Sequence, residues 1–176
     1  MCLRVWIPDA AGGSVYTSPL SRVTTVNAEI RQKILRLLAE HRIMTIATLR
    51  PDGWPQATTV GYANDGFTLY FLCALDSQKA ANLARDDRVS LTIDHDTPQV
   101  MEISGLSMAA RAQAVTDARE GEHAMRMLME RYPQQQSLPF TSLPSFAEVR
   151  LFRLTPCVIS VLDYSRGFGH TDLVTC

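Results

Sequence analysis

Two Asp-Gly turn signals between residues 44 and 93 constrain the fold most strongly. Pro51-Asp52-Gly53 places a proline and a glycine where a reverse turn needs them, and Asn64-Asp65-Gly66 is typical of a tight hairpin. Turns of this kind join adjacent antiparallel strands. The three apolar, β-rich runs around them, 44–49, 56–63 and 67–73, are therefore predicted to form an antiparallel meander.

A short helix is predicted directly after the meander, over residues 77–85. Asp76 or Ser77 can cap its first turn through a side-chain oxygen. Lys79 stands in that turn, where a positive charge opposes the helix dipole unless an anion binds nearby. Free helix amides with a lysine and a hydroxyl make a phosphate cradle. Taken by itself, the segment favours a plain amphipathic surface helix with a serine cap.

Periodicity and caps predict the remaining elements. A helix beginning at Asn27 carries an apolar stripe at helical spacing, consisting of Ile30, Ile34, Leu37, Leu38 and Ile43. A second long helix is predicted from the Thr116-Asp117 cap to about Tyr132, where Pro133 ends it. Further β-rich segments are 88–94, 99–115 with a bulge or bend at Gly105, and 148–162 with a break at Pro156.

Six or so antiparallel strands with three helices predict a mainly β (α+β) fold, a six-stranded antiparallel split β-barrel with flanking helices. The length of 176 residues suits one domain. Residues 1–24 are interpreted as an N-terminal arm, 25–176 as the barrel domain, 133–147 as a proline-containing loop and 163–172 as a turn-rich tail.

The composition is that of a soluble globular protein, with 46% hydrophobic and 20% charged residues. A net charge of −1 offers no electrostatic surface for nucleic acid or for an anionic membrane. The sequence shows neither an apolar run of membrane-spanning length nor a secretory pattern at its start. The expected location is therefore the cytoplasm, with no nucleic-acid partner and no membrane partner.

No metal site and no protein catalytic group are predicted. The spacing of the four cysteines suits reduced thiols rather than metal ligands or a disulfide scaffold; they are Cys2, Cys73, Cys157 and Cys176. Asp94-His95-Asp96 could ligate a metal, but a solvated turn is favoured because no second histidine-rich cluster completes a ligand set. Gly167-Phe168-Gly169 lacks the third glycine and the strand-to-helix context of a dinucleotide fingerprint.

The order of elements over residues 43–115 resembles the pyridoxamine 5'-phosphate oxidase-like family, whose members are flavin-binding split β-barrels. The resemblance rests on the double hairpin, then Ser77-x-Lys79-x-x-Asn82-Leu83, then another strand. A weaker match lies at Arg153-Leu154-Thr155-Pro156. The resemblance implies a homodimer that binds flavin mononucleotide (FMN) at the subunit interface. It also implies an oxidoreductase in which the cofactor carries the chemistry.

The same resemblance implies the residues of the cofactor site. The flavin phosphate would be held at the short helix by Ser77, Gln78, Lys79 and Asn82. The isoalloxazine ring would lie along the second strand, held partly by backbone groups of Thr58, Thr59, Val60 and Gly61. Leu72 and Cys73 match positions beside the ring and ribityl chain, and Gln99 matches a glutamine that reaches the flavin from the second subunit. Half-buried strand residues and a strand-entry glutamine are the simpler alternatives for Thr58–Gly61 and Gln99.

Several positions depart from the vitamin-making members of the family. Thr58 and Gln78 stand where those members carry arginine, Val149 replaces an aromatic residue, and their C-terminal Arg-x-His motif is absent. Each hydrogen bond from a missing arginine to the phosphate is worth roughly 1.5–3 kcal/mol. FMN binding should therefore be weaker, or another basic residue should replace the arginines. Pyridoxine oxidation is not predicted. A non-catalytic flavin or haem carrier, a stress-response module and a deazaflavin-dependent reductase remain as alternatives.

Overall fold

The computed structural model describes residues 28–133 and 148–176 of the chain. The predicted N-terminal arm, its boundary at residue 24 and most of the predicted loop over 133–147 lie outside the described residues. None of the described helices is both long enough and apolar enough to cross a membrane.

Three α-helices and eight β-strands form the described part of the chain. The helices are α1 Ala28–Glu40, α2 Gln78–Arg85 and α3 Ala118–Arg131. The strands are β1 Ile43–Leu49, β2 Pro55–Gly61, β3 Ala63–Asp65, β4 Thr68–Ala74, β5 Arg88–Asp94, β6 Ser104–Ala114, β7 Val149–Asp163 and β8 Thr171–Thr175.

All eight strands belong to one antiparallel sheet with the order β2-β1-β5-β6-β7-β4-β3, and β8 lies beside β7. The first part of β7 pairs with β4, and its second part pairs with β8. Although β2 and β4 stand far apart in this order, they contact each other, so the sheet is curled. The predicted antiparallel split barrel with flanking helices is confirmed.

Alternating side chains build the core inside this curled sheet. Val89, Leu91 and Ile93 of β5 are buried while the residues between them are exposed, as the pleat requires. The predicted stripe of α1 is buried at Ile30, Ile34, Leu37 and Leu38. Ile43, which was assigned to that stripe, is instead the first residue of β1 and is 60% exposed.

The predicted strand over 56–63 is divided at Tyr62. β2 pairs with β1, whereas β3 pairs with β4. Tyr62 is fully buried at this corner, and its hydroxyl donates to the backbone oxygen of Leu38 at 2.9 Å.

The bulge expected at Gly105 lies elsewhere in β6. The register shifts between Ala109 and Ala110, opposite the segment of β7 that contains Pro156. A proline has no N–H to donate to the ladder, so the irregularity falls beside it. Gly105 allows β5 and β6 to come close together, since a Cβ at this position would lie 2.8 Å from the backbone oxygen of Ile93. β8, which was not predicted, begins at Thr171, near the end of the predicted tail.

Candidate functional site

The N-terminus of α2 presents unpaired amide donors. Ser77 caps the helix: its Oγ accepts from the N–H of Ala80 at 3.2 Å and donates to the oxygen of Ala74 at 2.7 Å. Of the two predicted candidates, Ser77 rather than Asp76 is therefore the cap. The N–H groups of Gln78 and Lys79 have no acceptor among the described residues. The first turn carries no acidic side chain, and Asp76, which directly precedes the cap, is exposed to solvent.

Lys79 adds a cation to this helix end. Its Nζ lies 5.9 Å from the centroid of the Phe71 ring, and Phe71 is fully buried on β4. Burial lowers the pKa of Lys79, and the nearby Cys73 thiol acts in the opposite direction. No carboxylate in the described part of the chain forms an ion pair with it. A half-buried cation without a counter-ion favours an anionic ligand.

Asn82 joins α2 to two strands. Its side chain is fully buried and donates to Thr48 Oγ1 at 2.9 Å and to Gln56 Oε1 at 3.3 Å. Its Oδ1 accepts from Gln78 Nε2 at 2.9 Å. These bonds fix α2 against β1 and β2, so the geometry supports a positioning role for Asn82. A direct contact between Asn82 and a bound group stays a prediction.

β2 directs Thr58 and Val60 toward the barrel interior and Thr59 toward solvent. Thr58 Oγ1 is buried, and no described residue forms a hydrogen bond with it. Thr58 lies two residues from Gln56 on the same face of the strand. Gln56 contacts Asn82, which is one turn along α2 from Lys79. An unpartnered buried hydroxyl therefore lies on the same side of the barrel as the Lys79 cation, where a ligand oxygen would satisfy it.

The backbone of β2 has an open edge. On either side of β2, the backbone N–H of Tyr62 donates to the oxygen of Arg42 at 3.1 Å, and the N–H of Arg50 donates to the oxygen of Trp54 at 3.0 Å. Because hydrogen-bonded pairs alternate along an antiparallel ladder, the even-numbered residues of β2 are the ones that hydrogen-bond with β1. The N–H and C=O groups of Thr59 and Gly61 consequently point away from β1. Of the four residues predicted to hold the ring through backbone groups, these two have such groups available. Thr58 and Val60 use theirs within the sheet.

The structure separates Leu72 from Cys73, because successive residues of β4 face opposite sides of the sheet. Cys73 packs against the core beside Phe71. Burial raises the pKa of its thiol, against the effects of a hydrogen bond with Ser77 and of the charges of Lys79 and Arg150. Leu72 instead lines a cavity of about 590 Å³ between α3, β4 and β7. Cys73 thus joins the Lys79 site, and Leu72 does not.

Gln99 lies in the segment between β5 and β6. It is exposed and precedes a short 3-10 helix, Val100–Glu102. The register places Thr92 of β5 level with Thr45 of β1 and, through it, with Thr59 of β2, so the chain reaches Gln99 beyond that end of the sheet. A role for Gln99 at the site of a second subunit stays a prediction.

Sequence reasoning missed three contributors, namely Phe71, Gln56 and Arg150. Arg150 stands directly opposite Cys73 in the β4–β7 ladder, and its charge acts on the Cys73 thiol. It places a second cation near the site, where the family arginines at positions 58 and 78 are missing. The pairing of β4 with β7 joins residues almost 80 positions apart, and no local pattern in the sequence signals it.

The Asp94-His95-Asp96 segment is exposed, and the His95 ring stacks on the ring of His41 with centroids 5.6 Å apart. Within the described ranges, no three His, Cys, Asp or Glu side chains gather closely enough to hold a metal ion.

The strands and the α2 motif together match a known family. A family model described as pyridoxamine 5'-phosphate oxidase matches residues 30–161. The chain belongs to the pyridoxamine 5'-phosphate oxidase family. The match covers the whole predicted meander, the α2 motif and most of β7, which confirms the resemblance drawn from the sequence. No curated protein matches this family member.

Solved structures share its fold. A candidate pyridoxamine 5'-phosphate oxidase from Listeria innocua has a TM-score of 0.62 at 20% identity, covering 76% of this chain and 98% of its own. A heme-binding protein from Mycobacterium smegmatis has a TM-score of 0.66 at 19% identity, covering 79% of this chain and 55% of its own. The heme storage protein HutZ from Vibrio cholerae has a TM-score of 0.60 at 21% identity, covering 71% and 88% respectively. At such identities the likeness establishes the fold alone.

Proposed function

We propose that this family member binds FMN where β2, β4 and the N-terminus of α2 meet. We further propose that it acts as a cytoplasmic, homodimeric, flavin-dependent oxidoreductase on a small molecule other than pyridoxine. The observation that carries the proposal is Lys79, a half-buried cation that has no counter-ion among the described residues and lies beside the free amides of a helix N-terminus. Helix amides and a lysine are the donors that a phosphate group needs.

The donor set fits the phosphate of FMN. Lys79 supplies the charge, the N–H groups of Gln78 and Lys79 supply directed donors, and the buried Thr58 hydroxyl supplies another. Arg150 offers a second positive charge near Cys73. These groups replace in part the two arginines that positions 58 and 78 lack.

The open edge of β2 fits the ring. The backbone groups of Thr59 and Gly61 would orient a planar, polar heterocycle along the strand, while Val60 and Cys73 provide apolar contact from the interior face. A bound flavin supplies hydride or electron transfer, and the protein residues bind and orient it. The family resemblance assigns Gln99 to the site of a second subunit, and its side chain is exposed. Light scattering at micromolar concentration should therefore give a mass near twice that of one chain.

The first test is Lys79→Ala. We expect FMN affinity to fall about tenfold to hundredfold, because one charge-assisted hydrogen bond of roughly 1.5–3 kcal/mol is lost. Fluorescence titration with FMN and with riboflavin measures the effect. Riboflavin lacks the phosphate, so its affinity should change much less. Arg36→Ala, which removes an exposed cation on α1, is the matched control and should alter neither affinity. Equal losses for both ligands would exclude the phosphate contact.

The second test is Thr58→Val, which removes the unpartnered hydroxyl and keeps the shape. Without ligand, the free energy of unfolding should stay the same or rise slightly, because a buried unsatisfied oxygen is removed. FMN affinity should fall about twofold to tenfold, since a net hydrogen bond is worth roughly 0.5–1.5 kcal/mol. Urea unfolding and FMN titration separate the two effects. Unchanged FMN affinity would remove Thr58 from the site.

Heme binding is the second candidate, because the shared fold includes a heme-binding protein and a heme storage protein. The absorption spectrum of the purified protein, and of the protein titrated with FMN and with heme, distinguishes the candidates. An FMN complex shows the two flavin bands, and a heme complex shows a Soret band. Tight heme binding with no uptake of FMN would replace the proposed function.

A further inference from the structure

Cys157 and Cys176 stand directly opposite each other at the junction of β7 and the end of β8. The register that pairs Val158 with Thr175 and Ile159 with Val174 continues to these two residues. The N–H of Cys176 donates to the oxygen of Cys157 at 3.0 Å, which fixes them as neighbours across the ladder. Both are free thiols.

The backbone spacing of the pair also suits a disulfide. Directly opposite residues in a hydrogen-bonded antiparallel pair have Cα atoms about 5.5 Å apart, within the range that disulfides span. Along their strands the two residues are two positions from Ile159 and Val174, a directly opposed pair that is buried. Burial raises the pKa of the Cys176 thiol and so does the Cys157 thiol, so the two sulfur atoms are close enough to interact.

We propose that Cys157 and Cys176 form a reversible disulfide that links β8 covalently to β7. The oxidant is a low-molecular-weight disulfide such as oxidised glutathione. One cysteine thiolate attacks it, forming a mixed disulfide and releasing one small thiol. The second cysteine then displaces the other small thiol and closes the Cys157–Cys176 bond. Overall, two electrons and two protons pass from the cysteine pair to the oxidant, and each step needs a deprotonated thiol.

The other described cysteine cannot replace either partner. Cys73 pairs with Arg150, seven residues before Cys157 along β7, which is a distance of about 23 Å. In a reducing compartment the pair stays as thiols, and such pairs act as transient redox-sensing bonds. The crosslink would tie down β8, which is hydrogen-bonded to β7 alone among the described strands.

The test uses the full chain with Cys2→Ser and Cys73→Ser, which leaves this pair as the available thiols. After equilibration with oxidised glutathione, peptide mapping without reduction should find one crosslinked species that joins the peptides of Cys157 and Cys176. Dithiothreitol should reverse it. The oxidised chain should melt about 5 °C higher than the reduced chain, because the bond closes a 20-residue loop of the unfolded chain.

A further Cys176→Ser substitution is the control and should abolish both the crosslink and the melting shift. Glutathione on both cysteines, crosslinks only between chains, or two thiols that remain free would each overturn the proposal. A crosslinked chain that melts at or below the temperature of the reduced one would overturn the proposed restraint of β8. The variants can be compared with wild type by circular dichroism, so a folding failure is visible directly.

Discussion

Asp163→Asn should lower the free energy of unfolding by about 2–4 kcal/mol, because it leaves a partly buried cation without its counter-ion. Asp163 ends β7 and pairs through Oδ2 with Lys33 of α1. The two side chains are 11% and 22% exposed, respectively. The other carboxylate oxygen accepts from Ser165 Oγ at 2.6 Å, a bond that asparagine can keep. The substitution therefore isolates the loss of the ion pair that holds α1 onto the sheet.

Glu40→Gln is the matched control, because it breaks an exposed pair on the same helix. Arg36 and Glu40 are 3.9 Å apart and more than half exposed, so we expect a change within about 0.5 kcal/mol. Urea unfolding of both variants at pH 7 gives the comparison. Equal small losses would show that the Lys33–Asp163 pair is no stronger than a surface pair.

The pH dependence of this difference gives a second check. Burial alone would raise the pKa of Asp163, but hydrogen bonds from Lys33 and Ser165 and the Lys33 charge outweigh it and hold the pKa below its ordinary value. A carboxylate with a lowered pKa stabilises the fold above its ordinary pKa, near 4, and loses that contribution as the pH falls through the lowered value. The gap between wild type and Asp163→Asn should therefore be constant from pH 5 to 8 and shrink below about pH 4.

Local signals in the sequence predicted much of this fold. The Asp-Gly turns, the Ser77 and Asp117 caps and the helical stripe of α1 each act within a few residues, and the structure shows each of them. β8 and the turn of the chain at Tyr62 depend on pairing between distant segments. A tail rich in glycine and polar residues gives no sign that residues 171–175 will find a partner in β7.

The sequence predicted which segments form the candidate site, but not which face of each strand points into it. The α2 motif predicted the position of Lys79, and the β-rich run between the two turn signals predicted β2. Which backbone groups of β2 remain free depends on which of its residues hydrogen-bond with β1. The separation of Leu72 from Cys73 depends on which side of β4 faces the core. Asn82 was predicted to hold the phosphate, and its hydrogen bonds to β1 and β2 depend on contacts between distant segments that no local pattern signals.

Asn82→Leu should lower the free energy of unfolding by about 2–3 kcal/mol, because it leaves polar groups that Asn82 satisfied without partners. Thr48 is itself 1% exposed and would lose its partner entirely, whereas Gln56 is only half-buried. The same substitution should weaken FMN binding, since Asn82 holds α2 and its phosphate donors against β1 and β2. Urea unfolding and FMN titration measure the two losses.

The double variant Thr48→Val/Asn82→Leu decides how Asn82 acts. Replacing both partners of a buried hydrogen bond with apolar groups of similar shape restores much of the stability that one replacement loses. If Asn82 only positions α2, FMN affinity should recover together with stability, because the helix is again packed in place. If Asn82 contacts the flavin phosphate, stability should recover while affinity stays low. Recovery of neither would mean that the hydrogen bond to Gln56, which the double variant does not replace, holds α2 in place.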